Sequence, residues 1–296
     1  MTEPQLHFVR GLDSSGLHRM AYWAWGDAHN PRVVVCAHGL TRQGRDFDTL
    51  ARALCADYRV ICPDVVGRGR SDWLADPLGY QVPAYVADMV ALLARLDVPQ
   101  VDWVGTSMGG LIGLGLASLR ERNGASPVRR LVLNDIGPTL DAAAVQRIGA
   151  YLGVARRFDS EDAAADYLWS ISSGFGPHTR EEWLALTRPQ LRAVRDAQGE
   201  GFVFHYDPRI ALPFKAVTPQ LAAAGEALLW QRYDSLTCPT LVIRGADSDL
   251  LSHATAQAMT ERGPRARLVE LPGVGHAPTL VAAQQVSLVR EFLAEP

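Results

Sequence analysis

The sequence predicts an α/β protein built on a mostly parallel, eight-stranded sheet flanked by helices, with a helical insertion after the sixth strand. Two observations predict it: short β-branched apolar runs alternate with amphipathic helical stretches, and the interval 139–231 interrupts that alternation without a buried strand of its own. At 296 residues, 48% apolar and 21% charged, the composition is that of an ordinary globular chain able to bury a large core.

Segments 6–10 and 19–25 alternate apolar with polar residues around the turn signal Asp13-Ser14-Ser15-Gly16, so they read as an antiparallel entry hairpin. Three continuous apolar runs follow, Val33–Ala37, 59–62 and 101–104, as expected of strands covered on both faces. Between them, 46–56 and 83–96 have helical periodicity, and Pro83 suits a first helical turn because its missing amide costs nothing there. A small-residue helix over 108–120, strands at 130–134, 240–244 and Arg267–Leu271, and a last helix over 277–293 complete the core. The expected division is a core of 1–138 and 232–296 and an insertion of 139–231. The insertion's aromatics Trp169, Phe175, Trp183, Phe202, Phe204, Tyr206, Phe214 and Trp230 are enough to line an apolar pocket.

Composition also prunes the functions. Lysine and arginine total 29 against 32 acidic residues, a formal charge of -3, which offers no polycationic face to nucleic acid or anionic lipid. The N-terminal stretch lacks a basic start followed by an apolar run, and no 18-residue apolar segment reads as a membrane span. Cys36, Cys55, Cys62 and Cys238 form no Cys-x-x-Cys pair and lie largely in or beside apolar runs, so they read as buried reduced thiols. A cytoplasmic location is the expectation.

The chemistry concentrates in Gly105-Thr106-Ser107-Met108-Gly109, between the apolar run 101–104 and the helix 108–120. A Gly-x-Ser-x-Gly string arises by chance on the order of 0.1 times per chain of this composition, so its placement decides. A serine at a strand-to-helix turn is held in a strained conformation that lifts its oxygen clear of the sheet. The bland alternative is a Gly/Ser turn capping a helix. Two further strings stand at strand ends: His38-Gly39-Leu40, and Asp64-Val65-Val66-Gly67-Arg68-Gly69-Arg70-Ser71. The second could be a phosphate cradle, but it lacks the Gly-Lys-Ser/Thr ending, and a structural loop is the better reading. Of eight histidines, His276 lies in Gly273-Val274-Gly275-His276, a turn after the last strand from which a side chain can reach the carboxyl ends of the sheet.

Taken in order, these strings resemble the α/β-hydrolase family over nearly the whole chain. The resemblance implies that Ser107 is the nucleophile and His276 the base. His38 is then architectural, the amides of Leu40 and Met108 form the oxyanion hole, and the insertion is a cap. The family commonly places its acid three residues beyond the glycine that ends the seventh strand, and here that position is Ser248. Asp249 is the preferred acid, since an acid followed by Leu250-Leu251 resembles the usual pattern with one extra residue; Asp247 and Asp135 are the alternatives. Serine at the elbow argues against the family's dehalogenases and epoxide hydrolases, which use aspartate there, and the iminopeptidase elbow is absent. The expected activity is hydrolysis of carboxylic esters with small to medium apolar acyl groups. The expected partner is a small-molecule ester, and no metal or organic cofactor is implied. Lactone, thioester or carbon-carbon bond hydrolysis, perhydrolase or cofactor-free oxygenase chemistry, and a ligand receptor on the same fold are the alternatives.

Overall fold

The computed structural model describes residues 3–197 and 199–295. The entry hairpin is β1 (Gln5–Asp13) and β2 (Gly16–Trp25), turning at Gly16, whose φ of 124° a side chain would strain. The chain continues through β3 (Val33–Ala37), α1 (Asp48–Leu54), β4 (Arg59–Pro63), α2 (Val82–Leu96), β5 (Val101–Thr106), α3 (Met108–Ala117) and β6 (Val128–Asn134).

The insertion follows as α4 (Ala142–Tyr151), β7 (Arg157–Phe158), α5 (Glu161–Ser172), α6 (Arg180–Thr187), β8 (Leu191–Asp196), β9 (Gly199–Phe204), α7 (Ala211–Lys215) and α8 (Pro219–Asp234). The core resumes with β10 (Thr240–Gly245), α9 (His253–Glu261), β11 (Arg267–Leu271) and α10 (Ala283–Ala294).

Eight strands form one sheet in the order β1-β2-β4-β3-β5-β6-β10-β11. The hairpin is antiparallel, β2 pairs antiparallel with β4, and every pairing from β4 to β11 is parallel. Alternation along the central strands feeds two cores. Val33, Val35, Trp103, Leu131, Leu133 and Val242 pack on one face with α2 and α3, while Val34, Cys36, Val104, Val132, Leu241 and Ile243 pack on the other with α1 and α10. Nearly all of these side chains are out of water, each contributing about 1.5–3 kcal/mol of burial free energy. A sheet buried on both faces puts its functional groups at the strand ends, and the site below lies at the carboxyl ends of β3, β5 and β6.

Three expectations need correcting. The insertion is not wholly helical, because β7, β9 and β8 pair into a small antiparallel sheet. Its strands lie half in solvent, so they carry no continuous apolar run, and Phe158, Tyr167 and Phe204 cluster on it through ring contacts. The expected boundary at 231–232 falls inside α8, which runs on to Asp234. The last helix starts at Ala283 rather than 277: the Pro278 carbonyl accepts from Asn134 and the Leu280 amide donates to Gln285, which fixes 277–282 as a wrapped loop. Among the described residues no helix is long and apolar enough to cross a membrane.

Candidate active site

β5 ends at Thr106 and α3 begins at Met108, so Ser107 alone makes the turn, at φ 51° and ψ -117°. Its neighbours have no room for a side chain. A Cβ on Gly105 would lie 2.3 Å from the Gly109 carbonyl oxygen, and one on Gly109 would lie 2.0 Å from that of Ala37 in β3. The glycines therefore let helix, strand and neighbouring strand converge, and Ser107 is left half-buried at the mouth of the turn.

His276 arrives on the loop after β11. That loop is tied to the one after β10, where the Ala246 amide donates to Leu271 and the Asp247 amide to Val274. His276 Nε2 stands 3.0 Å from Ser107 Oγ, and its Nδ1 stands 2.7 Å from Asp135 Oδ2. Asp135 is fully buried directly after β6. Its Oδ1 accepts from the Gly245 amide at 2.9 Å, and its Oδ2 accepts also from the Ser248 hydroxyl at 2.6 Å. With Nδ1–H donating to a carboxylate, Nε2 is free to accept, so a proton can pass from the Ser107 hydroxyl to the imidazole.

The preferred acid is thus corrected. Asp249 is exposed and pairs with Arg147, Nη2 to Oδ2 at 2.7 Å, instead of facing His276. Asp247 is exposed as well. The carboxylate at the imidazole is Asp135, third among the candidates. The structural reason is that β6 and β10 are parallel neighbours, with Asn134 beside Ile243, so a carboxylate just past β6 reaches the place usually served from β10.

His38 is fully buried with both ring nitrogens used: Nδ1 donates to the Gly39 carbonyl at 2.7 Å and Nε2 accepts the Val65 amide at 2.9 Å. Burial pushes its pKa down to about 3, so it is a neutral brace between two loops. Asp64 likewise organises the glycine-rich loop, accepting from the Gly44 and Arg70 amides and from the Trp23 indole. Burial raises its pKa to about 6. Gly67 and Gly69 sit at φ 82° and 53° in this loop, a conformation that a side chain would strain.

Leu40 follows Gly39, where a Cβ would come 3.8 Å from that of Ser107, and Met108 opens α3. Behind both lies Arg68, which the sequence reading passed over. It is fully buried, donating Nε to the Leu40 carbonyl at 2.8 Å and Nη1 to the Val66 carbonyl and the Tyr85 hydroxyl, with Nη2 3.6 Å from Met108 Sδ. No ion pair to Arg68 is present among the described residues. Its partners are neutral groups and the faces of Tyr80 and Tyr85.

Ser107 and His276 open into a cavity whose floor is the core and whose walls are the insertion. Tyr151, Ile171, Phe175, Phe204 and Tyr206 supply apolar surface, and Arg42, Asp46, Arg147 and Gln190 supply polar groups. Of the eight aromatics anticipated, Phe175, Phe204 and Tyr206 line it. Trp169 and Trp183 pack on each other, and Trp230 packs on Tyr233. Among the described residues no group of three or more His, Cys, Asp or Glu is placed to hold a metal ion.

Residues 32–283 match the family model for the alpha/beta hydrolase fold. The chain is an α/β-hydrolase. The hydrolase is 56% identical to a 3-hydroxybutyrate-oligomer hydrolase of Cupriavidus necator, over 98% of this chain and 97% of that protein. It is 28% identical to a pimeloyl-[acyl-carrier protein] methyl ester esterase of Xanthomonas campestris, over 88% of this chain and 93% of the other. Among solved structures it resembles an alpha/beta hydrolase of Novosphingobium aromaticivorans at 36% identity and a TM-score of 0.83, with 99% of each chain covered.

Proposed function

We propose that this hydrolase cleaves carboxylic esters with small acyl groups through an acyl-enzyme on Ser107, and that short oligomers of 3-hydroxy acids are its substrates. The observation that carries the reading is the Ser107–His276–Asp135 relay, with contacts of 3.0 and 2.7 Å. The 56% identical relative supports the choice of oligoester, since its name specifies 3-hydroxybutyrate oligomers.

Ser107 Oγ bonds to the acyl carbon as its proton passes to His276 Nε2, because a neutral hydroxyl is a weak nucleophile without a base. Asp135 keeps the imidazole in the required tautomer and stabilises the imidazolium. The oxyanion is received by the amides of Leu40 and Met108, each worth about 3 kcal/mol of barrier. Met108 stands at the positive end of α3, which favours the same charge. When the tetrahedral adduct collapses, His276 returns the proton to the leaving alkoxide. Water then repeats the sequence on the acyl-enzyme, releasing the acid and restoring Ser107.

The test is turnover of p-nitrophenyl butyrate and of 3-hydroxybutyrate dimer by wild type and Ser107→Ala. Wild type should turn over both, and the variant should lose on the order of a millionfold in kcat. Absence of ester turnover by the wild type would overturn the reading.

A further inference from the structure

We propose that Arg147 binds the free carboxylate of an acid-terminated oligoester, directing Ser107 to the ester bond next to the carboxyl end. This rests on the oligoester reading above and adds the anionic end group as a recognition element.

The charged side chains lining the cavity, besides the two histidines of its floor, are Arg42, Asp46 and Arg147. The first two neutralise each other. Arg42 Nε and Nη2 meet the two Asp46 oxygens at 2.5 and 2.9 Å, Gln190 donates to the same carboxylate at 2.7 Å, and both side chains are largely buried. That pair is closed to a ligand. Arg147 is arranged differently. Its side chain is 45% exposed, and its carboxylate partner Asp249, itself 49% exposed, lies outside the cavity lining.

Both contacts of Arg147 with Asp249, Nε at 2.8 Å and Nη2 at 2.7 Å, go to a single carboxylate oxygen, and Arg147 also hydrogen-bonds the Tyr151 hydroxyl on the cavity wall. The guanidinium fork therefore keeps donors for a second acceptor, and a solvent-exposed partner is cheap to exchange. The lining thus carries one positive charge that no lining acid cancels. α4 also presents Ile148 and Tyr151 to the cavity, so the cation sits on the wall that receives the substrate's carbon chain.

Substrate chemistry fits this arrangement. In a dimer of a 3-hydroxy acid the free carboxylate lies four bonds from the scissile carbonyl carbon, on the alcohol portion that leaves. Hydrolysis adds water across the acyl C–O bond, so the group anchored by Arg147 departs as a free 3-hydroxy acid while the acyl portion stays on Ser107. A planar carboxylate matches the guanidinium fork, whereas a neutral end group offers no charge to attract.

The experiment compares the 3-hydroxybutyrate dimer with the same dimer closed as a terminal carboxamide. The readout is the ratio of kcat/KM, acid over amide. Wild type should favour the acid by tenfold or more. Arg147→Gln should lower the ratio at least tenfold, chiefly through KM, and Arg147→Lys should fall between. A ratio changed by less than twofold in Arg147→Gln overturns the anchor.

Should that variant fail to fold, the wild type still decides. Added salt should depress kcat/KM for the acid and spare the amide, and equal salt sensitivity overturns the proposal. Turnover of both dimers without preference sinks the anchor alone. Turnover of neither sinks the oligoester reading, and the anchor falls with it.

Discussion

Replacing Asp135 by asparagine isolates the one catalytic assignment that position in the sequence did not favour. The carboxylate serves three donors: His276 Nδ1 at 2.7 Å, the Ser248 hydroxyl at 2.6 Å and the Gly245 amide at 2.9 Å. An asparagine has one acceptor oxygen. If that oxygen faces Gly245, the amide NH2 meets His276 and drives the imidazole into the tautomer with its proton on Nε2, where it can no longer take one from Ser107. A triad held in the wrong tautomer loses about 10⁴-fold in kcat, or about 5.5 kcal/mol of barrier. The structural cost is smaller, about 1–3 kcal/mol, because one buried donor loses its partner. Asp135→Asn should therefore stay folded, with near-wild-type circular dichroism, while turnover of p-nitrophenyl butyrate collapses. Asp249→Asn provides the comparison, since among the described residues its carboxylate pairs with Arg147 rather than with His276. The Asp135 variant should be at least a thousandfold slower than the Asp249 variant. Comparable rates in the two, or a slower Asp249→Asn, would refute the assignment.

Other outcomes follow from the same geometry. Gly109→Ala should destabilise by more than about 3 kcal/mol, measured by urea unfolding, because its new methyl group would overlap the Ala37 backbone rather than a movable side chain. His38 has a folded pKa depressed to about 3 by burial, so the unfolded chain binds the extra proton and stability falls as pH drops below about 6.5. Between pH 7 and 5 that linkage amounts to about 2 kcal/mol, and urea midpoints should show wild type losing that much more than His38→Asn; equal losses would remove His38 from the account. Arg68→Met should lower kcat by about 10- to 100-fold with KM little changed, since freeing the Leu40 carbonyl loosens the turn that carries an oxyanion donor. Single-turnover acylation rates check this directly.

The parts of the site that were legible in the sequence are those where sterics leave no choice of residue. Gly105 and Gly109 are required by backbone atoms closer than 2.5 Å to any Cβ, and such contacts recur wherever a helix, its strand and the next strand meet at one turn. His276 was legible because only one histidine stands between the last strand and the last helix. The acid was not, because a carboxylate can reach the imidazole from either of two adjacent strand ends. Ser248 holds the position where the family commonly has its aspartate, and its hydroxyl donates to Asp135. In this chain the carboxylate directly after β6, with Ser248 donating to it, takes the place beside the imidazole, and Asp249, one residue beyond Ser248, leads outward to Arg147. Arg68 was hidden for a different reason. A buried guanidinium held by carbonyls and tyrosine rings has no signature in local sequence, since its partners Leu40, Tyr85 and Met108 are spread along the chain.

The way the insertion is fastened limits how a substrate can enter. On one side the Gly69 amide donates to His205, the Asp207 amide donates to Gly67, and the Tyr80 hydroxyl donates to Asp207 at 2.7 Å, with Asp207 fully buried. On the other the Gly275 amide donates to Gly174 at 2.5 Å, and His178 Nε2 meets the Thr279 hydroxyl at 2.7 Å. Lifting the insertion as a rigid lid would break both sets at once, and the second set includes the loop that carries His276. A movement that opened the cavity in that way would also dislodge the base. A substrate that enters past exposed side chains, which reorganise at little cost, leaves both sets intact. Arg147 and Asp249 are such groups: an anionic chain end that displaces Asp249 from the guanidinium enters without disturbing any contact that aligns Ser107, His276 and Asp135.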